Sequence, residues 1–231
     1  MRPRELAHLT GFGRRYFIAF WSRGLPIYAA PREVQDVSGA IFVHIPKTAG
    51  ISVCEAVYNT DQLFGHAPAI GWRSRDVERF ERLFTFSLMR DPTDRFFSAF
   101  YYLKTGALTD KDNAFAARYL SAFDTPDALL TAMARNPFLR ARIMSWVHFT
   151  PQAWYLTDRQ SKVIVDYIGR VETFDESMSE IATRLGKTYA PTHSNKSKRP
   201  RDLALGPQAK TFLENLYADD FLIYHDRFGN T

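Results

Sequence analysis

Ala40-Ile-Phe-Val-His-Ile45, followed at once by Pro46-Lys-Thr-Ala-Gly-Ile-Ser52, is the stretch on which the reading of this chain turns. A run dense in β-branched and aromatic residues and ended by a proline predicts a buried strand, and its unbroken apolar character suits the centre of a parallel sheet. Ile51 to Asn59 then predicts a helix. A loop between such a strand and helix can cradle a phosphate with backbone N–H groups and the positive end of the helix dipole. Gly50 lets the backbone come close, Lys47 adds a mobile positive charge, and Thr48 and Ser52 add hydroxyl donors. The GxxxxGK[ST] spacing of a Walker A loop is missing and no Walker B acidic residue follows a later strand, which disfavours magnesium-dependent NTP hydrolysis. Taken alone, the motif also reads as a tight turn with a solvated lysine.

It does not stand alone, because Phe84-Thr-Phe-Ser-Leu-Met89 predicts a second strand, and Asp94 to Lys104 places Phe96, Phe97, Phe100 and Tyr101 on one helical stripe. Arg90 leaves the strand end and Ser98 lies in the following helix. Parallel α/β sheets bind ligands beyond the carboxyl ends of their strands, so both loops should open onto one crevice. A guanidinium and a hydroxyl there make a second phosphate site. The competing reading pairs Arg90 with Asp91 and leaves Ser98 on a helix surface.

Around these units the chain predicts a helix over 76–83, a third strand from Lys162 to Ile168, and helices beginning at Thr125 and at Thr173, the latter with Glu176 as a capping box. Lys187 to Pro207 reads as a long polar loop with the basic run Lys196-Ser-Lys-Arg199, and one amphipathic helix through Phe212 and Phe221 closes the chain. Strands alternating with helices imply an α/β domain, a central parallel sheet with helices on both faces. Residues 40–231 form that domain, and 1–39 form a basic, aromatic extension packed on it. Within the extension, residues 12–23 could instead make a weak membrane-surface contact.

Composition narrows the setting. A length of 231 residues with 45% apolar content suits one domain, and the net charge of +5 suggests an anionic partner without naming it. The single cysteine, Cys54, excludes an intrachain disulfide framework and points to a reducing compartment. The apolar run Tyr16 to Trp21 is too short to span a bilayer and has no small-residue cleavage site, so the cytoplasm is expected.

The strand with Pro46 to Gly50 after it, the Arg90 to Tyr102 element and their spacing resemble the sulfotransferase 2 superfamily, which includes glycan sulfotransferases such as heparan sulfate 2-O-sulfotransferase. The resemblance extends through Gly65-His-Ala-Pro-Ala69, Thr150 to Leu156, Ile168 to Glu172 and Tyr224 to Phe228, and covers roughly Ala40 to Gly229. Ile51 stands where the family often has threonine, which leaves a backbone cradle untouched. The resemblance implies a P-loop-NTPase-like sulfotransferase fold and 3′-phosphoadenosine 5′-phosphosulfate (PAPS) as donor, with adenosine 3′,5′-bisphosphate (PAP) as product and no metal. It further implies that Pro46, Lys47, Thr48, Ala49, Gly50, Ile51 and Ser52 hold the 5′-phosphosulfate and that Arg90 and Ser98 hold the 3′-phosphate. Lys47 would offset charge on the leaving phosphate, and Lys198 and Arg199 would close over the donor. Their competing reading is a solvated basic loop.

Transfer also needs a base, and histidine titrates in the right range. His66 resembles the family's histidine after the first helix and is the choice. Glu55 and His148 are the alternatives, while His44, inside the apolar strand, reads as a core residue. The acceptor is expected to be a carbohydrate, glycolipid or other small molecule, not nucleic acid. Trp72, Phe100, Tyr101, Trp146 and Trp154 could form a sugar or lipid platform, or equally the core. Two rival functions remain at this level: a nucleotide kinase or NTPase, and a non-catalytic module binding nucleotide or acidic glycan.

Overall fold

A computed structural model describes residues 14, 17, 32–62, 64–191 and 204–229. In chain order these give α1 (Arg32–Ser38), β1 (Ala40–Phe42), α2 (Gly50–Tyr58), α3 (Ala69–Arg75), α4 (Val77–Arg82), β2 (Phe84–Met89) and α5 (Pro92–Lys104). Then follow α6 (Asp110–Tyr119), α7 (Pro126–Arg135), α8 (Pro137–Met144), a 3₁₀ turn (Val147–Phe149), α9 (Ala153–Leu156), β3 (Tyr167–Arg170), α10 (Phe174–Arg184), α11 (Pro207–Leu216) and α12 (Ala218–Phe228).

The three strands form a parallel sheet in the order β1-β2-β3, with Ala40 opposite Phe84 and Phe86 opposite Tyr167. Side chains alternate across it, as strand geometry requires. Ala40, Phe42, Phe86 and Leu88 pack with Val53, Val57, Met178 and Ile181 of α2 and α10. Ile41, Val43, Met89 and Ile168 face the opposite way, toward Trp72, Phe80, Tyr155 and Tyr224 of α3, α4, α9 and α12. The expected α/β architecture with helices on both faces is therefore the observed one. A separate helical core gathers Phe96, Phe100, Leu129, Leu130, Met133 and Leu213 around α5, α7 and α11.

Several elements differ from the sequence reading. β1 is shorter than 40–45, although the Val43 N–H still donates to the Phe86 carbonyl at 2.8 Å and the Ser87 hydroxyl to that of Val43 at 2.7 Å. The third strand lies later than 162–168, because the Asp166 carboxylate binds the Thr85 backbone N–H and hydroxyl and the ladder forms only beyond it, while Val163 bridges Thr157 instead. Thr125 caps α7 through the Ala128 N–H, as expected, but the Thr173 side chain caps nothing in α10. The closing helix is two helices, broken at Tyr217, whose hydroxyl is drawn into the core to the Phe149 carbonyl at 2.7 Å. Helices α3, α6, α8 and α9 were not read from the sequence. Of the extension, Phe17 packs on Trp154 and Tyr155 at 5.5 Å and Arg14 binds Thr157, so these two residues face the domain; the rest of 12–23 lies outside the described residues. Among the described residues no helix is long and apolar enough to cross a membrane.

Candidate active site

The loop after β1 is tightly wound. Lys47 has φ 71° and Ala49 φ 60°, the left-handed region that side chains avoid at a cost of about 1–3 kcal/mol each. Ala49 then starts α2 without a side-chain cap, which leaves the leading N–H groups of that helix for an anion. Thr48 differs from the sequence reading: its hydroxyl donates to the Ile45 carbonyl at 2.8 Å, so it shapes the loop and is not free to donate to a phosphate. Gly50 is required for a reason invisible in the sequence. A β-carbon there would lie 2.0 Å from His44 Nε2, so the imidazole at the end of β1 fills the space a side chain would need.

Lys47 Nζ sits 3.6 Å above the centroid of the Tyr102 ring. Burial pushes its ammonium down to about 8, with Arg90 and then Arg95 adding repulsion and Asp112 offsetting part of it. The site is thus strongly positive and short of counter-charge, a condition that a polyanionic ligand relieves.

The loop after β2 is held rigidly. Asp91 caps α5 by accepting from the Asp94 N–H at 2.9 Å, and Arg90 approaches Asp94, not Asp91, at 3.7 Å. Gln152 clasps the Arg90 backbone from both sides, its Oε1 accepting from the N–H at 3.1 Å and its Nε2 donating to the carbonyl at 2.8 Å. Gln152 is itself anchored, since Asp220 on α12 accepts the N–H groups of Gln152 and Ala153 at 2.8 Å each. Burial pushes the Asp220 carboxyl up to about 6, with Arg95 and the two amides pulling the other way. Glu172 accepts from the Asp91 N–H at 2.9 Å and from the Tyr224 hydroxyl at 3.0 Å. Ser98 lies buried in the second turn of α5.

Arg95 joins the two loops. It is 2% exposed, its Nε donates to the Pro46 carbonyl at 3.0 Å, and its Nη2 is buried without a hydrogen-bond partner among the described residues.

Beside Lys47 stands a row of imidazoles. The rings of His44 and His66 are 4.4 Å apart, and those of His66 and His148 are 6.3 Å apart. His66 Nδ1 lies 3.3 Å from the His44 carbonyl, an acceptor only, so Nδ1 carries the proton and Nε2 keeps a free lone pair. Burial, then the neighbouring His148, pushes His66 down to about 4. Glu55 is exposed on α2. Lys198 and Arg199 lie outside the described residues.

The proposed aromatic platform resolves mostly into core. Trp72 and Phe100 are buried, Trp146 stacks on Phe115 at 4.2 Å, Trp154 covers Phe17 and Tyr101 packs on the helical core. Sequence reasoning missed Arg95, Tyr102, Asp112, Gln152, Glu172 and Asp220. Arg95, Tyr102, Gln152 and Glu172 fell within stretches noted for their resemblance, whereas Asp112 and Asp220 did not.

No curated protein and no solved structure matches the chain. A family model described as the sulfotransferase family matches residues 34–226. That match takes in both loops, the imidazole row and the Gln152–Asp220 clasp, and the chain belongs to the sulfotransferase family.

Proposed function

We propose that the chain moves a sulfuryl group from PAPS to a hydroxyl or amine of a carbohydrate or glycolipid acceptor, by in-line transfer with no covalent enzyme intermediate. One observation carries the reading. The Arg95 hydrogen bond to Pro46 ties two anion-suited loops, at the carboxyl ends of adjacent parallel strands, into a single site. Two phosphate positions on one nucleotide are what PAPS presents.

In this reading the loop Pro46 to Ser52 and the start of α2 hold the 5′-phosphosulfate, Arg90 and Ser98 hold the 3′-phosphate, and Lys198 and Arg199 supply further positive charge. The fit rests on the uncapped helix start, the buried Arg95 Nη2 with no partner among the described residues, and the ammonium of Lys47. PAPS supplies a sulfuryl group already joined to a good leaving phosphate. Lys47 stabilises charge as it grows on that phosphate, and His66 Nε2 takes the acceptor proton. A cytoplasmic setting remains part of the proposal, as does the division into an extension over 1–39 and a transferase domain over 40–231.

The test is transfer of label from PAPS to a panel of oligosaccharides, glycolipids and cell-extract fractions, with PAP release followed in parallel. Labelled product with stoichiometric PAP is expected. ATP consumption with magnesium and no labelled product would instead support a kinase or NTPase.

A further inference from the structure

The reaction as proposed leaves one buried titratable pair unused. His148, on the 3₁₀ turn, places Nε2 3.2 Å from Asp112 Oδ1. Asp112, on α6, is fixed by three donors: the Thr109 hydroxyl at 2.8 Å, Trp146 Nε1 at 3.0 Å and the Tyr102 hydroxyl at 3.4 Å. Burial alone would raise this carboxyl, but His148, Thr109 and Trp146 outweigh it and hold it at about 2. It is therefore a permanent negative charge at working pH.

Nε2 is the ring nitrogen that approaches the carboxylate, although both His148 nitrogens are buried without a well-aligned hydrogen bond among the described residues; a proton on Nε2 faces the Asp112 charge and leaves Nδ1 as the basic nitrogen. Packed around the ring are Tyr102 at 4.9 Å from α5 and His66 at 6.3 Å, with His44 beyond His66; burial, with Lys47 and Arg95, pushes the imidazole below its ordinary value, and Asp112 pulls it back up. Among the described residues no group of His, Cys, Asp and Glu could hold a metal ion. A carboxylate-backed imidazole with a bare nitrogen, next to a second imidazole, is suited to receiving a proton.

We infer that the His148–Asp112 pair stands behind His66 as a positioning and proton-accepting unit, taking over the proton that His66 removes from the sulfuryl acceptor. This rests on the sulfuryl-transfer reading. The acceptor O–H bond breaks as its electron pair forms the new O–S bond, the leaving phosphate keeps the electrons of the old S–O bond, and the proton binds His66 Nε2. It then passes to His148 Nδ1 when the two rings, 6.3 Å apart at their centroids, swing into hydrogen-bond reach, Asp112 balances the charge there, and water removes the proton on product release. The device answers a weakness of His66, which in its buried position holds a proton poorly. Only one of two adjacent imidazoles readily carries a charge, so the one beside Asp112 is the resting place.

The test is an NMR titration of the histidine rings in the full chain, in His148→Asn and in Asp112→Asn, with PAP affinity and sulfuryl transfer measured on the same samples. In His148→Asn the His66 midpoint should move up toward the ordinary histidine range, transfer should fall tenfold or more, and PAP affinity should stay within twofold. In Asp112→Asn the His148 midpoint should fall. Asp112 also anchors Thr109 and Trp146, so if that variant does not fold, His148→Asn and His148→Gln carry the test. An unchanged His66 midpoint in a folded His148 variant that still binds PAP overturns the inference alone. Failure of the wild-type chain to bind PAP overturns the donor reading beneath it.

Discussion

At Lys47, backbone and side chain are both held in unusual states, a left-handed φ and an ammonium lowered to about 8 over an aromatic face. Two consequences follow for kinetics. Lys47→Ala should lower turnover by roughly 10²–10³, the size seen when one electrostatic donor to a developing anion is removed, with a smaller loss of donor affinity. In the wild type, kcat/KM for the donor should fall as pH rises through about 8, because the free enzyme then loses the ammonium. A flat profile from pH 7 to 9 would contradict that role. Lys47 was legible in the sequence because its chemistry is local: a cation in a strand-to-helix loop. The reason for Gly50 was not, since the His44 ring that excludes a side chain reaches it only through the fold.

Between residues and whole fold stand the two loops and what braces them. The Arg90 loop owes its shape to Gln152, which satisfies both backbone groups of Arg90, and to Asp220, which fixes Gln152 in turn. Gln152→Ala should cost about 1–3 kcal/mol of stability, the range for leaving buried polar groups unpaired. It should also weaken PAP binding although Gln152 lies in neither loop; urea unfolding and calorimetry on one variant read both. Strand β2 and helix α5 were readable from period and composition. Helix α6 was not, because in its sequence DKDNAFAARY only Phe115 and Tyr119 are large apolar residues and they set no period, although Thr109 does cap it through the Asp112 N–H. The third strand was misplaced because Val163, Ile164 and Val165 look like a strand but pack as apolar contacts instead.

On the scale of the whole molecule, alternation of strand and helix revealed the parallel sheet and the edge where the site lies. The imidazole row was not legible as a unit, since His44, His66, Asp112 and His148 come from four separate segments and meet only in three dimensions. That row has a signature in stability. Burial lowers all three histidines below their ordinary 6.5, His66 to about 4, so between these values the unfolded chain binds protons that the folded chain refuses. Stability should therefore rise with pH from about 4 to 6.5, and His66→Asn should flatten part of that slope in urea midpoints measured across the range.

The central claim, one nucleotide held by two linked phosphate sites, is tested most directly by calorimetry of PAP and AMP against the wild-type chain and Arg90→Ala. The account predicts that PAP binds the wild type roughly tenfold to a hundredfold more tightly than AMP, since a hydrogen bond to a charged group is worth about 1.5–3 kcal/mol. Most of that preference should vanish in Arg90→Ala. Equal affinity of the wild type for the two nucleotides would contradict it.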